Sequence, residues 1–286
     1  MRESVWQSYE LLDASSGERL ERWGDVILIR PDPQVIWKTP KQSEFWDKAD
    51  ARYHRSKTGG GKWEVYNKIP DVWDIKYKEL VFRVKPMGFK HTGIFPEQAV
   101  NWDFVNDVIE KSEKPFKVLN LFSYTGAATL ACARAGASVC HVDSSKGMVS
   151  WARENAIASR LGDKPIRWIV DDCIKFVARE IRRGNKYDGI IMDPPSYGRG
   201  PNGEIWKLED NLYDFINECS KLLHGKSSFF ILNSYTTGLS PSVMGYILND
   251  LIVKKYGGSV LCDEIGLRVS STDLILPCGA TSIWQK

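Results

Sequence analysis

Several signals are missing from this sequence, and each absence excludes something. It has four histidines, all isolated, so no metal-ligand spacing forms around them. Its six cysteines, at 132, 140, 173, 219, 262 and 278, include no C-x-x-C pair. Most sit inside apolar runs and read as small buried hydrophobes. No apolar run is long enough to span a bilayer. The first twenty residues hold no apolar signal core. The expectation is therefore a cytoplasmic protein, with no membrane and no metal. Formal net charge is only +3, so contact with nucleic acid would have to come from a local patch. The glycine-rich G-x-G-x-x-G turn that cradles a pyrophosphate is also absent, which counts against a nicotinamide-dependent oxidoreductase.

The organising stretch is Val118 to Asp143. Val118 to Phe122 is a short apolar run, long enough for a buried strand. Ser123 to Gly126 is a tight polar turn, and Ala127 to Ala135 is alanine-rich and helical. Gly136 caps it, Ala137 to Val142 is a second strand, and Asp143 ends that strand. Gly126 would let backbone approach a ligand. Asp143 would accept both ribose hydroxyls of an adenosine at a strand's carboxyl end. With one glycine in the turn, an adenosine lacking phosphates fits best, and S-adenosylmethionine is such a ligand. The same pattern also occurs as an ordinary α/β turn.

At 286 residues the chain has room for one large domain, or a large and a small one. Residues 1–85 read as a small β-rich N-terminal domain, a possible substrate-binding module, and residues 86–286 as the cofactor domain. Strand candidates in the first part are Tyr9 to Leu12, Arg19 to Trp23, Val26 to Arg30, Val35 to Trp37, Glu64 to Tyr66, Trp73 to Tyr77 and Leu80 to Val84. Lys48 to Lys62 interrupts them with three consecutive glycines. Its basic residues alternate with Tyr53 and Trp63, which suits phosphate contact and base stacking; a solvated mobile loop is the alternative. A hairpin is expected over Phe89 to Ile94, and a helix opens at Pro96.

Beyond Asp143, strands at Ile166 to Val170, Tyr187 to Met192 and Ser228 to Leu232 alternate with helices. Val260 to Leu267 and Ala280 to Trp284 can pair as a terminal hairpin. Such alternation demands a doubly wound, mainly parallel sheet. Asp143, Asp172, Asp193 and Asn233 all follow strands, so they are expected on one rim. Asp172 could accept from an adenine amino group while the Cys173 N–H donates to the ring; alternatively Asp171 or Asp172 only caps the next helix. Asp193-Pro194-Pro195-Ser196-Tyr197 carries the second signal. The prolines fix the backbone, so the Asp193 carboxylate and the Pro194 carbonyl could hold an amine nucleophile, and Tyr197 could stack on a base. Methylation at pyrimidine C5 would need a cysteine thiolate, and neither this loop nor Asn233 to Gly238 has one. Cys278 is the loop cysteine to watch, with a buried turn residue as its bland reading.

LNLFSYTGAATLACARAGASVCHVDSSKGMVSWARENA, DDCIKF and MDPPSYGRG together resemble the class I S-adenosylmethionine-dependent methyltransferases. More narrowly they resemble the subgroup with the bacterial 23S ribosomal RNA cytosine-5 and guanine methyltransferases, as does FKHTGIFPEQ. The resemblance covers roughly residues 80–286. It implies a seven-stranded Rossmann-like sheet, the cofactor S-adenosylmethionine, and cofactor contacts from Phe95, Gln98, Ser123, Tyr124, Thr125, Gly126, Asp143, Ser144, Asp172 and Asp193. RNA, ribosomal and methylated at a base nitrogen, is the expected partner; Arg52, Arg55, Lys57, Tyr197 and Arg199 are its candidate contacts. The alternative is a methyltransferase of a small molecule or protein. The segment before residue 80 does not read as the RNA-binding PUA module of some relatives, and the fifth-strand motif lacks the cysteine of cytosine-5 members.

Overall fold

The computed structural model describes residues 2–56, 60–199, 205–236 and 238–286. The chain divides into two compact units, Met1–Ala99 with Gly266–Cys278, and Val100–Ile265 with Gly279–Lys286. The first unit thus runs past residue 85 and takes in the tip of the terminal hairpin.

The first unit is built on a five-stranded sheet, β1 (Tyr9–Ser15), β2 (Glu18–Trp23), β3 (Val26–Pro31), β4 (Ala51–Arg55) and β5 (Gly61–Val65), in that spatial order. All neighbours are antiparallel except β3 and β4. Ser16 and Gly17 both take positive φ between β1 and β2, as a tight two-residue hairpin turn requires. A separate hairpin joins β6 (Trp73–Tyr77) to β7 (Leu80–Val84). Three expectations are corrected here. Within Lys48 to Lys62, Ala51–Arg55 and Gly61 onward are paired antiparallel strands, β4 and β5, with Ala51 and Tyr53 buried. Val35 to Trp37 is not a strand; side-chain tethers hold it, with Trp37 Nε1 donating to the Ala14 carbonyl. No strand forms over Phe89 to Ile94 either.

The second unit begins in α1 (Ala99–Glu110) and continues β8 (Lys117–Leu121), α2 (Ala127–Arg134), β9 (Ser138–Asp143), α3 (Lys146–Ala158), β10 (Ile166–Val170), α4 (Cys173–Arg182) and β11 (Gly189–Met192). A short hairpin of β12 (Tyr197–Arg199) and β13 (Ile205–Lys207), unforeseen in the sequence, leads into α5 (Leu208–Ser220). Then come β14 (Phe229–Ser234), α6 (Pro241–Leu248), a π-turn over Asn249–Val253, α7 (Lys254–Tyr256), β15 (Ser259–Arg268) and β16 (Ile275–Gln285). The seven-stranded order is β10-β9-β8-β11-β14-β16-β15. Its first five strands are parallel and β16 runs against β14. The fold is therefore the doubly wound, mainly parallel α/β sheet with a small β-rich N-terminal part. The central strands are mostly apolar, as strands buried on both faces are: Val118, Leu119 and Leu121 of β8 and Phe229 to Leu232 of β14 are fully buried. No helix among the described residues is long and apolar enough to cross a membrane.

Candidate functional site

The chain leaves β8 toward β9 and β10 on one side and returns through β11 and β14 on the other. The crevice at the carboxyl ends of β8 and β11 is thus a topological switch point, where open α/β sheets bind ligands. Two loops flank it, Phe122–Gly126 after β8 and Asp193–Ser196 after β11.

The first loop is tightly wound. Phe122 and Tyr124 take φ of 55° and 50°, and Gly126 takes 85°. Left-handed backbone at two aromatic residues is costly and persists only where surroundings impose it. Ser123 supplies much of that constraint. Its hydroxyl donates to the Asn120 carbonyl at 2.6 Å and accepts from the Val142 N–H at 3.2 Å, while its N–H donates to the Val142 carbonyl at 3.1 Å. The Ser123 side chain is therefore a clamp between β8 and β9. The Thr125 carbonyl accepts from the buried Asn155 Nδ2 of α3 at 3.0 Å. Gly126 needs to be glycine for a reason other than ligand approach: a Cβ there would lie 2.9 Å from the Ala152 Cβ of α3.

Asp143 braces the loop from the next strand. One carboxylate oxygen accepts from the Tyr124 N–H and the other from the Ser145 N–H, each at 2.8 Å. Burial pushes its carboxyl pKa up, and those two bonds only partly oppose the rise. A carboxylate has about four acceptor sites, so each oxygen keeps one, the arrangement two vicinal hydroxyls require. Ser144 beside it is exposed.

Asp172 is the N-cap of α4, accepting from the Lys175 N–H at 2.9 Å. The cap uses Oδ1, which leaves Oδ2 for a ligand. Asp171 instead accepts from the Asp172 N–H and pairs with Arg179. The Cys173 N–H opens the helix, where backbone donors lack intrahelical partners. Its thiol points inward, accepting from the Phe122 N–H at 3.3 Å, and burial raises its pKa well above the ordinary thiol value. Cys173 thus braces the β8 loop as well, a role the sequence did not disclose.

The second loop is fixed by three bonds. The Pro195 carbonyl accepts from Trp206 Nε1 at 2.6 Å, the Ser196 carbonyl from the Leu208 N–H at 3.0 Å, and the Ser196 and Thr236 hydroxyls share a bond of 2.6 Å. No described donor reaches the buried Pro194 carbonyl beside Asp193. Tyr197 stands half-exposed on β12, and Trp206 packs against Phe122 at 5.9 Å between ring centroids. Nothing in the sequence marked Trp206 as part of this loop. Asn233 does not join the rim: it is buried within β14, where its Oδ1 accepts from Asn101 Nδ2 at 3.0 Å.

The remaining candidates, Arg199 apart, lie in the first unit. Phe95 precedes the short 3₁₀ turn Pro96–Gln98 and Gln98 ends it, buried. Arg52 is committed to Glu18, its Nε 2.8 Å from Oε1, and His54 to Glu64 at 2.7 Å. Tyr53 is buried and Trp63 Nε1 donates to the Met87 carbonyl, so neither is a free stacking platform. Arg55 is exposed. Lys57 lies outside the described residues, and Arg199 is described only in its backbone. Cys278 is corrected from a loop or turn residue: it lies inside strand β16, buried, with its thiol pKa well raised by burial. Among the described residues no cluster of three histidines, cysteines or carboxylates could hold a metal.

Residues 30–211 match the model of the family described as S-adenosylmethionine-dependent methyltransferase. The chain belongs to that family. The methyltransferase is 35% identical to the S-adenosylmethionine-dependent methyltransferase from Agrobacterium tumefaciens, whose crystal structure superposes with a TM-score of 0.93 over 99% of this chain and 91% of that one. A methyltransferase structure from Streptococcus mutans, 19% identical, shares the fold with a TM-score of 0.74 over 98% of this chain and 76% of that one. Curated relatives include the ribosomal RNA large subunit methyltransferases K/L of Colwellia psychrerythraea, 24% identical over 70% of this chain, and Shewanella frigidimarina, 29% identical over 54%. The chain spans only 28% and 21% of those two relatives' lengths. As an enzyme of this family the protein uses S-adenosylmethionine.

Proposed function

We propose that the methyltransferase acts on ribosomal RNA, at an exocyclic or ring nitrogen of a base. The cofactor would lie across the Phe122–Gly126 loop. Asp143 would accept its two ribose hydroxyls, Oδ2 of Asp172 and the Cys173 N–H would meet the adenine edge, and the backbone of Ser123, Tyr124, Thr125 and Ser144 would line its path. Phe95 and Gln98 are proposed as further contacts from the resemblance alone. When bound, the sulfonium supplies an activated methyl group. The chain's own part is alignment and hydrogen bonding, since an in-line displacement gains most from fixed geometry.

The observation that carries the nitrogen reading is the Pro194 carbonyl. The Pro195 and Ser196 carbonyls after it accept bonds, while no described donor reaches it, so it stands as an acceptor beside the Asp193 carboxylate. Two acceptors on a rigid turn suit an amine, whose hydrogens they would hold while its lone pair faces the methyl group; Pro195 stiffens that turn. Tyr197 would stack on the base. Attack from carbon C5 of a pyrimidine would instead need a thiolate. Burial keeps the thiols of Cys132, Cys173, Cys219 and Cys278 protonated and pushes that of Cys140 up to about 11. The RNA reading draws on the names of the curated relatives. The internal pairing of Arg52 and His54 favours the second reading, a small-molecule or protein substrate.

Incubation with radiolabelled cofactor and separate pools of ribosomal RNA, protein and metabolites tests both. Label in RNA, recovered as an N-methylated nucleoside, is expected; label only in protein or metabolites overturns the RNA reading. Asp193→Ala should lower kcat by roughly a hundredfold with little change in cofactor affinity, read by single-turnover kinetics and calorimetry. Equal loss of both would remove Asp193 from the substrate side.

A further inference from the structure

The opposite edge of the same sheet carries a second cleft. It opens where β8, β9 and β10 begin and encloses about 610 Å³. At about 3.3 Å per strand residue it lies roughly 15 Å from the carboxyl rim. Val139, Pro165 and Ile166 give it an apolar floor, and Lys117, Lys164, Arg167 and Lys186 stand around it. All four cations are exposed, and no acidic side chain lines the cleft.

Two nearby carboxylates, Asp188 and Glu180, have other hydrogen-bond partners. Asp188 accepts from the Lys117 N–H at 2.8 Å and pairs with His224 at 3.0 Å. Glu180 accepts from the Tyr187 hydroxyl and from Asn185 Nδ2, each at 2.7 Å, and from Arg183. Among the described residues none of the four cations has a carboxylate within ion-pair reach. Exposed cations elsewhere commonly have one, as Lys221 has Glu218 and Arg134 has Glu110. Arg167 acts on Glu180 only at a distance, and Lys186 Nζ also donates to the Lys221 carbonyl. A chain of net charge +3 has thus gathered four exposed cations round one hollow. Their mutual repulsion is relieved by a polyanion.

We propose that this amino-edge cleft binds the sugar–phosphate backbone of the RNA substrate, away from the base being methylated. The inference rests on the RNA reading above. Backbone is favoured over a free nucleotide because a base would need an aromatic face. Tyr187, the only aromatic residue lining the cleft, is buried with its hydroxyl tied to Glu180. Lysine and arginine supply the sequence-independent contacts that backbone requires.

The test is the full chain carrying Lys117→Ala, Lys164→Ala, Arg167→Ala and Lys186→Ala together, beside a control carrying Lys38→Ala, Lys68→Ala, Lys76→Ala and Lys226→Ala. Ribosomal RNA binding is titrated across salt concentrations. Four lost phosphate contacts should make the slope of log K against log salt shallower by roughly 3. KM for RNA should rise while kcat, cofactor affinity and melting temperature hold. An equal loss in the control would reduce the effect to net charge and overturn the proposal. So would a millimolar mononucleotide that abolishes the difference between wild type and the cleft variant. If wild type labels RNA and the cleft variant binds it identically, the cleft is excluded and the RNA reading stands. If wild type neither binds nor labels RNA, the RNA reading fails and this proposal with it.

Discussion

Asp13 in β1 and Asp143 at the end of β9 are both shielded carboxylates, and they titrate in opposite directions. Burial opposes ionisation of each. At Asp13 the opposition is overcome. One oxygen accepts from the Ala14 N–H and the Ser271 hydroxyl, the other from the Gln42 and Ser43 N–H groups and Trp46 Nε1, and its pKa falls below the usual value. Glu21 belongs with it: Arg30 grips both its oxygens, at 2.5 and 2.6 Å, and Tyr9 adds a third donor. Asp143 has only two donors, and its pKa stays raised. A saturated carboxylate is a finished piece of structure. A desolvated one short of donors keeps acceptor capacity that a ligand's donors can fill.

The comparison breaks most visibly if Glu21 proves dispensable. Glu21→Gln leaves Arg30, 2% exposed, without its counter-charge. Stability should fall by about 3–5 kcal/mol, read by denaturant unfolding. The pH dependence follows. Burial works against the Glu21 charge, but Arg30, Arg19 and Tyr9 hold its pKa at about 2 against 4.5 unfolded. Its stabilisation is therefore complete above 4.5 and lost as pH falls toward 2. Burial, with Arg30 and Lys90 nearby, holds His91 at about 4 against 6.5, so its neutral form adds stability above 6.5 that is lost between 6.5 and 4. Acid unfolding should show both segments in wild type and only the upper one in Glu21→Gln. A variant that melts like wild type would place Glu21 outside the saturated class.

Asp143→Ala should do the reverse, costing cofactor affinity more than stability. Two lost hydroxyl bonds amount to about 1–3 kcal/mol, roughly one to two orders of magnitude in Kd, measured by calorimetry. Hydroxyl donors favour the ionised carboxylate, so binding should lower the Asp143 pKa and release protons in mild acid. Affinity should weaken as pH falls through the Asp143 pKa, which lies above 3.8, and the Ala variant should lack that dependence. Proton release unchanged in Asp143→Ala would dissolve the contrast with Asp13.

The second unit was legible because β8, β9 and β10 are short, mostly apolar runs that alternate with helices, and the acids after them fall at the rim by topology alone. The first unit was harder. In β4, Ala51 and Tyr53 alternate with Arg52 and His54 in the two-residue period of a strand, yet the three glycines nearby and the basic charge suggested a loop. The β12–β13 hairpin has three-residue strands, too short for periodicity to register. Within the site, the carboxylates could be named from position, but the duties of Ser123, Gly126 and Cys173 could not. Each depends on a neighbour distant in sequence: Val142 for Ser123, Ala152 for Gly126 and Phe122 for Cys173.

Asp172 sits between the two classes, and the smallest expected effect decides which it joins. Its Oδ1 caps α4 through the Lys175 N–H, while Oδ2 is proposed for the adenine amino group. Asp172→Ser keeps a capping oxygen, because a serine hydroxyl accepts the same N–H, so melting should move by only a few tenths of a kcal/mol. It removes the second oxygen, so cofactor affinity should fall by about 1 kcal/mol, close to fivefold. Asp172→Ala loses cap and acceptor together and should add about 1 kcal/mol of lost stability to the same weakening. A Ser variant with wild-type affinity, beside an Ala variant that loses only stability, would make Asp172 a helix cap alone. Recognition of the adenine edge would then pass to the backbone donors at the start of α4, and Asp143 would be the one unsaturated carboxylate left with a share in holding the nucleoside.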